Sequence, residues 1–206
     1  MEFVNLYTRQ HENSIYELEN KGIITNKKLY VQLHMADIAP FFLERYDYFV
    51  KMAEGFVPRN NISEYPIWCS VSKKNCLKPI DKEVVYAIRV PKDEVIYFDG
   101  GRWDLVLNNQ YIPKDAADAE DFDRLLKSYG LSHTFDIFDR KYTGAFDDVK
   151  VRIRNSWKRI FEITDRSEFV VQANLWCIKK EWVKHIIRPG EDFFKIVEDM
   201  EETWVN

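Results

Sequence analysis

Between Phe169 and Ile187 the chain reads FVVQANLWCIKKEWVKHII, and its apolar residues recur with the two-residue period of a strand. Phe169, Val171, Ala173, Leu175 and Cys177 share one face, which is wholly apolar. Val170, Gln172, Asn174, Trp176 and Ile178 share the other. The spacing predicts a strand, a turn or single helical turn, and a second extended piece. It also sets two amides, Gln172 and Asn174, side by side in a stretch that otherwise reads as buried. A buried amide without hydrogen-bond partners costs about 1–3 kcal/mol. Either neighbouring backbone satisfies this pair, or a ligand does.

The same reading, taken from the start, predicts a first strand over 2–10, with Val4, Leu6 and Thr8 on one face and Phe3, Tyr7 and Arg9 on the other. A short helix follows, begun by Asn13 or Ser14 and stopped at Gly22. Leu29 to Leu33 reads as a short extended piece. Asp37 to Glu54 reads as a long helix with Asp37 as its cap, Pro40 in its first turn and Gly55 at its end. Strands are predicted over 65–71, 84–90 and 94–98, the second being rich in β-branched and aromatic residues. Helices are predicted over 102–108, 115–129 and 145–161, with a closing amphipathic helix from Glu191 to Trp204; 131–144 has no clear period. Strands and helices are intermixed, and the strands look partly antiparallel. The expected class is therefore α+β, a single domain over 1–206 with a mixed, mostly antiparallel sheet and surrounding helices.

Composition narrows this picture. The 206 residues are 46% hydrophobic and 15% aromatic, which argues for a packed core and against disorder. A net charge of −4 implies no general electrostatic affinity for nucleic acid or membrane. Three cysteines, Cys69, Cys76 and Cys177, lack any zinc-ligand spacing and fit a reducing compartment. With no leader and no run long enough to span a bilayer, a cytoplasmic location is expected.

Several chemistries lack their motif. Phosphate-binding glycine loops, HExxH and GxSxG are absent, and the four histidines are scattered, so no metal is expected. Most carboxylates fall in acidic runs of the kind that form solvated helix faces. Two stand apart: Asp47, between Tyr46 and Tyr48, and Asp99, at the end of the VIYF strand. Arg152, Arg154, Lys158 and Arg159 around Trp157 form a basic helix suited either to solvent or to phosphate, since interleaved arginines and aromatics serve single-stranded nucleic acid.

Several pieces of the chain resemble an uncharacterised bacterial family known only as a domain of unknown function: Leu6-Tyr7-Thr8-Arg9-Gln10, Tyr46-Asp47, Pro66-Ile67-Trp68, Val90-Pro91 leading to Asp99, Trp103 with Leu107-Asn108, Ser156-Trp157 with Ile160-Phe161, and Gln172-Ala173 with Trp176. That resemblance covers most of the chain and carries no activity. A second one does. The opening strand, short helix and Gly22 look like the start of ADP-ribosyltransferase-type domains. Gln172-Ala173-Asn174-Leu175 is similar to the late strand that reads Gln-Ala-Glu in their DNA-modifying members. Asn174 then stands where the catalytic acid would lie, and an amide cannot act as a carboxylate.

The second resemblance implies a split sheet with a cleft that takes NAD or another nucleotide, and a reaction at the ribosyl carbon. Tyr7, Thr8, Gln10, Trp68, Ser70, Gln172 and Asn174 would line it. Trp68 or Tyr7 would stack on nicotinamide or a base. Gln10, Gln172 and Asn174 would hydrogen-bond ribose or amide groups, and Asp47 or Asp99 would supply the acid. Two other classes of function stay open: a non-enzymatic module that binds nucleotide, nucleic acid or a protein partner, for example in stress or phage defence, and a structural interaction protein whose amides are satisfied internally.

Overall fold

The first alternating stretch forms β1, Phe3–His11, with Val4, Leu6, Tyr7 and Thr8 buried. The computed structural model describes residues 2–138 and 140–201 of the chain. These fall into two compact units, one of Met1–Tyr97 with Asp165–Asn206 and one of Phe98–Thr164.

In the first unit β1 leads into α1 (Ser14–Lys21), which ends at Gly22 with φ +71°, the left-handed region in which glycine has no Cβ penalty. Then come β2 (Ile23–Thr25), α2 (Lys28–Met35), α3 (Ala39–Ala53), β3 (Ile67–Ser70), β4 (Glu83–Pro91) and β5 (Ile96–Asp99), the last of which carries the chain into the second unit. After the chain returns, β6 (Val171–Leu175), β7 (Cys177–Lys179) and β8 (Val183–Ile187) complete the strands. Six of them form one sheet in the order β5-β6-β3-β1-β4-β8, and β2 pairs with β7 in a second. The pairs β1–β3, β1–β4, β3–β6, β4–β8 and β2–β7 are all antiparallel. The class is α+β, as the sequence predicts.

β4 is buried on both faces from Val84 to Ile88, which is why its sequence is a continuous apolar run rather than an alternation. One core cluster lies around Tyr7, Val85, Ala87 and Ile187 and is closed by Phe193, Val197 and Met200.

Several boundaries differ from the sequence reading. Leu29 to Leu33 is helical, not extended. Val31 and Met35, four residues apart, both reach the cluster of Ala39, Leu43 and Tyr65, and that contact selects the 3.6-residue period over the two-residue one. Asp37 makes no cap hydrogen bond. It sits in a short 3-10 turn, Ala36–Ile38, that begins with Ala36 at φ +46° and separates α2 from α3. The closing helix is a single turn, α7, Phe193–Ile196; its expected end at Trp204 lies outside the described residues.

The second unit is helical: α4 (Gly100–Leu107), α5 (Ala116–Ser128) and α6 (Asp147–Ser156). The helix predicted over 145–161 becomes α6 followed by a 3-10 segment, Trp157–Phe161. Trp103, Val106, Phe122, Ile153 and Trp157 are buried. Trp157 Nε1 donates to the Gln110 carbonyl at 3.0 Å, and Ser156 Oγ accepts the Ile112 N–H at 2.9 Å. Two residues of the predicted basic helix are paired with carboxylates of this unit. Arg152 pairs with Asp118 at 3.1 Å and Asp121 at 2.8 Å, while Arg159 donates to the Ile112 carbonyl and lies 3.5 Å from Asp118.

Candidate functional site

β1 is paired unequally on its two sides. Against β4 all nine of its residues have partners, from Phe3 opposite Pro91 to His11 opposite Glu83. Against β3 it has one pair, Tyr7 opposite Ser70. Beyond that pair a side chain takes the place of the backbone ladder. Thr8 Oγ1 donates to the Trp68 carbonyl at 2.7 Å, and Gln10 Nε2 donates to Thr8 Oγ1 at 2.8 Å. Thr8 and Gln10 lie two residues apart, hence on one face of the strand, and their relay ends on the β3 backbone at Trp68.

Where the two strands part lies a cavity of about 1090 Å³ within the first unit. Its walls come from the second half of β1, from β3, from α1 and α2, from Tyr46 of α3, and from the segment leading into β6. Tyr7, Thr8, Gln10, Trp68, Ser70 and Gln172 all line it. The register explains part of this grouping: Ser70 is opposite Gln172, and directly opposed residues of an antiparallel pair share a face.

The remaining predicted residues fall elsewhere. Asn174 is opposite Trp68 but fully buried and outside the cavity lining. Its Nδ2 donates to the Ile67 carbonyl at 3.4 Å, and its Oδ1 has no hydrogen-bond partner among the described residues. The two amides thus have different surroundings: Gln172 is exposed to the cavity and Asn174 is sealed in the sheet. Asp47 lies outside the lining, is exposed, and accepts the Tyr65 hydroxyl at 2.6 Å. Asp99 belongs to the second unit, where it caps α4 by accepting the Arg102 N–H at 2.9 Å and pairs with the Arg102 side chain at 3.6 Å. Its place at the end of a strand is the place of a helix cap.

Trp68 leans on an aromatic group, with ring centroids 5.4 Å from Tyr46 and 5.2 Å from Phe49. Tyr7 borders the cavity but is nearly buried, and its ring meets Phe193 edge-on at 5.9 Å, so most of its surface serves the core. Burial pushes the Tyr46 phenol up, and it pushes the Cys76 thiol at the cavity wall up to about 11. Cys69 is raised by burial as well. Burial thus disfavours the thiolate form of both cysteines.

Charged groups complete the wall. Arg9 pairs with Glu83 at 2.7 Å and Lys21 with Glu17 at 3.0 Å, and His11 and His34 are exposed at the mouth. Leu33 and Phe169 stand 73% and 77% exposed on the same lining, an apolar rim over a polar interior. Among the described residues no group of three or more His, Cys, Asp or Glu is placed to hold a metal ion, and no helix is long and apolar enough to cross a membrane.

Sequence reasoning missed Glu168. It lies in the turn before β6 and lines the cavity. Its Oε2 accepts the Ser72 hydroxyl at 2.6 Å, its Oε1 lies 3.5 Å from Lys74 Nζ, and its carbonyl accepts Asn75 Nδ2 at 2.8 Å. Those partners are more than ninety residues upstream, beyond the reach of any local pattern.

The model of the family described as "Domain of unknown function (DUF3841)" matches residues 5–184. The chain belongs to that family. No curated protein and no solved structure matches it.

Proposed function

For a chain whose family brings no assigned activity, we propose that the cavity beside β1 binds NAD or a closely related nucleotide and that the bound ligand reacts at its ribosyl carbon. The parting of β1 from β3 carries this reading. It opens a volume large enough for a dinucleotide, and a polar set of Thr8, Gln10, Ser70 and Gln172 stands beside Trp68. Ligand sites typically enclose about 300–1,000 Å³ and combine apolar walls with a few convergent polar groups. Gln172 is free to face a ribose or a carboxamide, and Trp68 offers a ring to a base. The reading takes up the split-sheet, ADP-ribosyltransferase-like arrangement that the opening strand and the Gln172 strand suggest, with Asn174, at the acid position, buried in the sheet. The reading assigns no metal.

A thermal-shift titration with NAD, followed by assay of released nicotinamide, tests it. Wild type should bind. Gln172→Ala should weaken binding about tenfold, the worth of one good hydrogen bond of about 1.4 kcal/mol. Asn174→Leu should leave affinity unchanged, since that side chain is outside the lining. No shift at millimolar NAD would sink the proposal. Equal loss in both variants would show that the strand matters only as structure.

The apolar rim of Leu33 and Phe169 favours a second reading, in which the same cavity serves a non-enzymatic module for a nucleotide, a nucleic acid or a protein partner. Binding of NAD without nicotinamide release would select it.

A further inference from the structure

The wall of the cavity that α2 supplies is held at its two ends and lightly in between. Asn26, before the helix, is bridged to Tyr65, and its Nδ2 donates to the Pro66 carbonyl at 3.0 Å. Ala39, after it, is buried beside Leu43 and Tyr65. Between these points Val31 and Met35 reach that same cluster, and the Lys28 N–H donates to the Glu64 carboxylate at 2.7 Å. Among the described residues no side chain of α2 forms a hydrogen bond or an ion pair.

The rest of the helix is apolar and faces water. Leu29, Tyr30 and Leu33 are 57%, 43% and 73% exposed. Tyr30 and Leu33, three residues apart and so on one side of the helix, both line the cavity. Phe169, 77% exposed, stands on another wall of the same mouth. An apolar surface of this kind, gathered around a polar pocket, marks a place where something is covered.

The joint at the end of α2 is strained. Ala36 has φ +46° and ψ −124°. Glycine occupies that conformation, as at the first central position of a type II′ turn, and a Cβ makes it costly. Ala36 is exposed, so no packing of its methyl group offsets the cost. Strain of this sort persists where the surrounding structure imposes it, and it gathers at clamps and switches.

We infer that α2 is a lid. It pivots between Asn26 and Ala39 with Ala36 as its joint, and it closes over the ligand of the cavity. Closing brings Leu33 against Phe169 and lets Ala36 leave its positive φ. The closed lid excludes water from the ribosyl carbon. The inference rests on the NAD reading given above, since differential affinity of the ligand for the closed form is what drives closure.

The test measures NAD affinity by calorimetry and hydrogen exchange over 28–36. In ligand-free wild type this segment should exchange faster than 43–53 of α3, and saturating NAD should slow it at least about tenfold. Leu33→Asp should weaken NAD binding at least about tenfold, because closure then buries a carboxylate. Its ligand-free melting temperature should stay within about 1 °C of wild type, the substitution being on the surface. Leu33→Asp combined with Phe169→Asp should lose less affinity than the product of the two single losses, since each removes the same contact. Ala36→Gly frees the open form of its strain, so it should bind NAD about fivefold more weakly without melting lower when ligand-free. A lower melting temperature for Ala36→Gly would remove the strained joint. Wild-type affinity in Leu33→Asp, with exchange over 28–36 unmoved by NAD, would make α2 a fixed wall and overturn the inference while leaving NAD as the ligand. Wild type that fails to bind NAD, read by calorimetry before any variant, would remove the ligand reading and the lid that depends on it.

Discussion

Asp118 illustrates how much one side chain can organise. Its carboxylate accepts the Lys114 N–H at 2.8 Å and the Tyr111 hydroxyl at 2.7 Å, and it pairs with Arg152 and Arg159. Tyr111 in turn stacks on Phe122 with centroids 4.1 Å apart, and both arginines lie over the Tyr111 ring. The Lys114 N–H, then the Tyr111 hydroxyl, hold the Asp118 carboxyl down from 3.8 to about 2. A carboxyl depressed in the folded state stabilises the fold above its unfolded value and loses that contribution as pH falls through its folded value. Asp118→Asn should therefore melt lower than wild type by about 3 °C or more at pH 7. The gap should narrow as pH falls below 3.8 toward about 2. A gap that stays constant over that range would show that the charge of Asp118 contributes nothing. The basic helix owes its sequence to this network: Arg152 and Arg159, which invite a phosphate-binding reading, spend their charge on Asp118 and Asp121.

At the scale of elements, α1 and β1 place the cavity's near wall. α1 ends where Gly22 adopts φ +71° and its N–H bonds the Leu18 carbonyl, which turns the chain into β2. A Cβ built at Gly22 meets no atom within 4 Å, so a substitution there tests backbone conformation alone. Gly22→Ala should cost about 1–2 kcal/mol, the left-handed penalty of an L residue, as read from denaturant midpoints. No loss would mean that the turn relaxes to another conformation. β1 shows a complementary feature. Its pairing to β4 is complete, so one edge is rigid, and its pairing to β3 is a single pair, so the other edge keeps backbone groups beyond Tyr7 outside that ladder. The relay from Gln10 through Thr8 to the Trp68 carbonyl bridges that opening at its narrow end.

At the scale of the whole chain, the cavity is built entirely from the first unit, although its walls span residues 7 to 172. The second unit is an insertion between β5 and β6 with its own buried residues and its own ion-pair network. Hydrogen exchange with and without NAD should therefore show protection at 8–11, 67–70 and 168–172, with 98–164 unchanged. Protection confined to 98–164 would move the ligand site to the helical unit.

Periodicity and turn chemistry by themselves determined much of this protein. The alternation over 2–10, the β-branched run at 84–90, the stop at Gly22 and the helix over 115–129 are local decisions, made within a few residues, and each appears in the structure close to where the sequence puts it. So is the α+β class, because it follows from the kinds of element and not from their arrangement. Gln172 and Asn174 mark where that logic stops. They sit two residues apart in one strand, yet one faces the cavity and the other is sealed, because burial depends on what the neighbouring elements cover. The helix over 28–35 is a tertiary decision of the same kind, made when Val31 and Met35 met Leu43 and Tyr65. Tertiary structure alone also joined Glu168 to Ser72, across a separation at which sequence carries no positional information. Local free energies write the elements; long-range contacts such as that of Ser72 with Glu168 exist only once the chain has closed on itself.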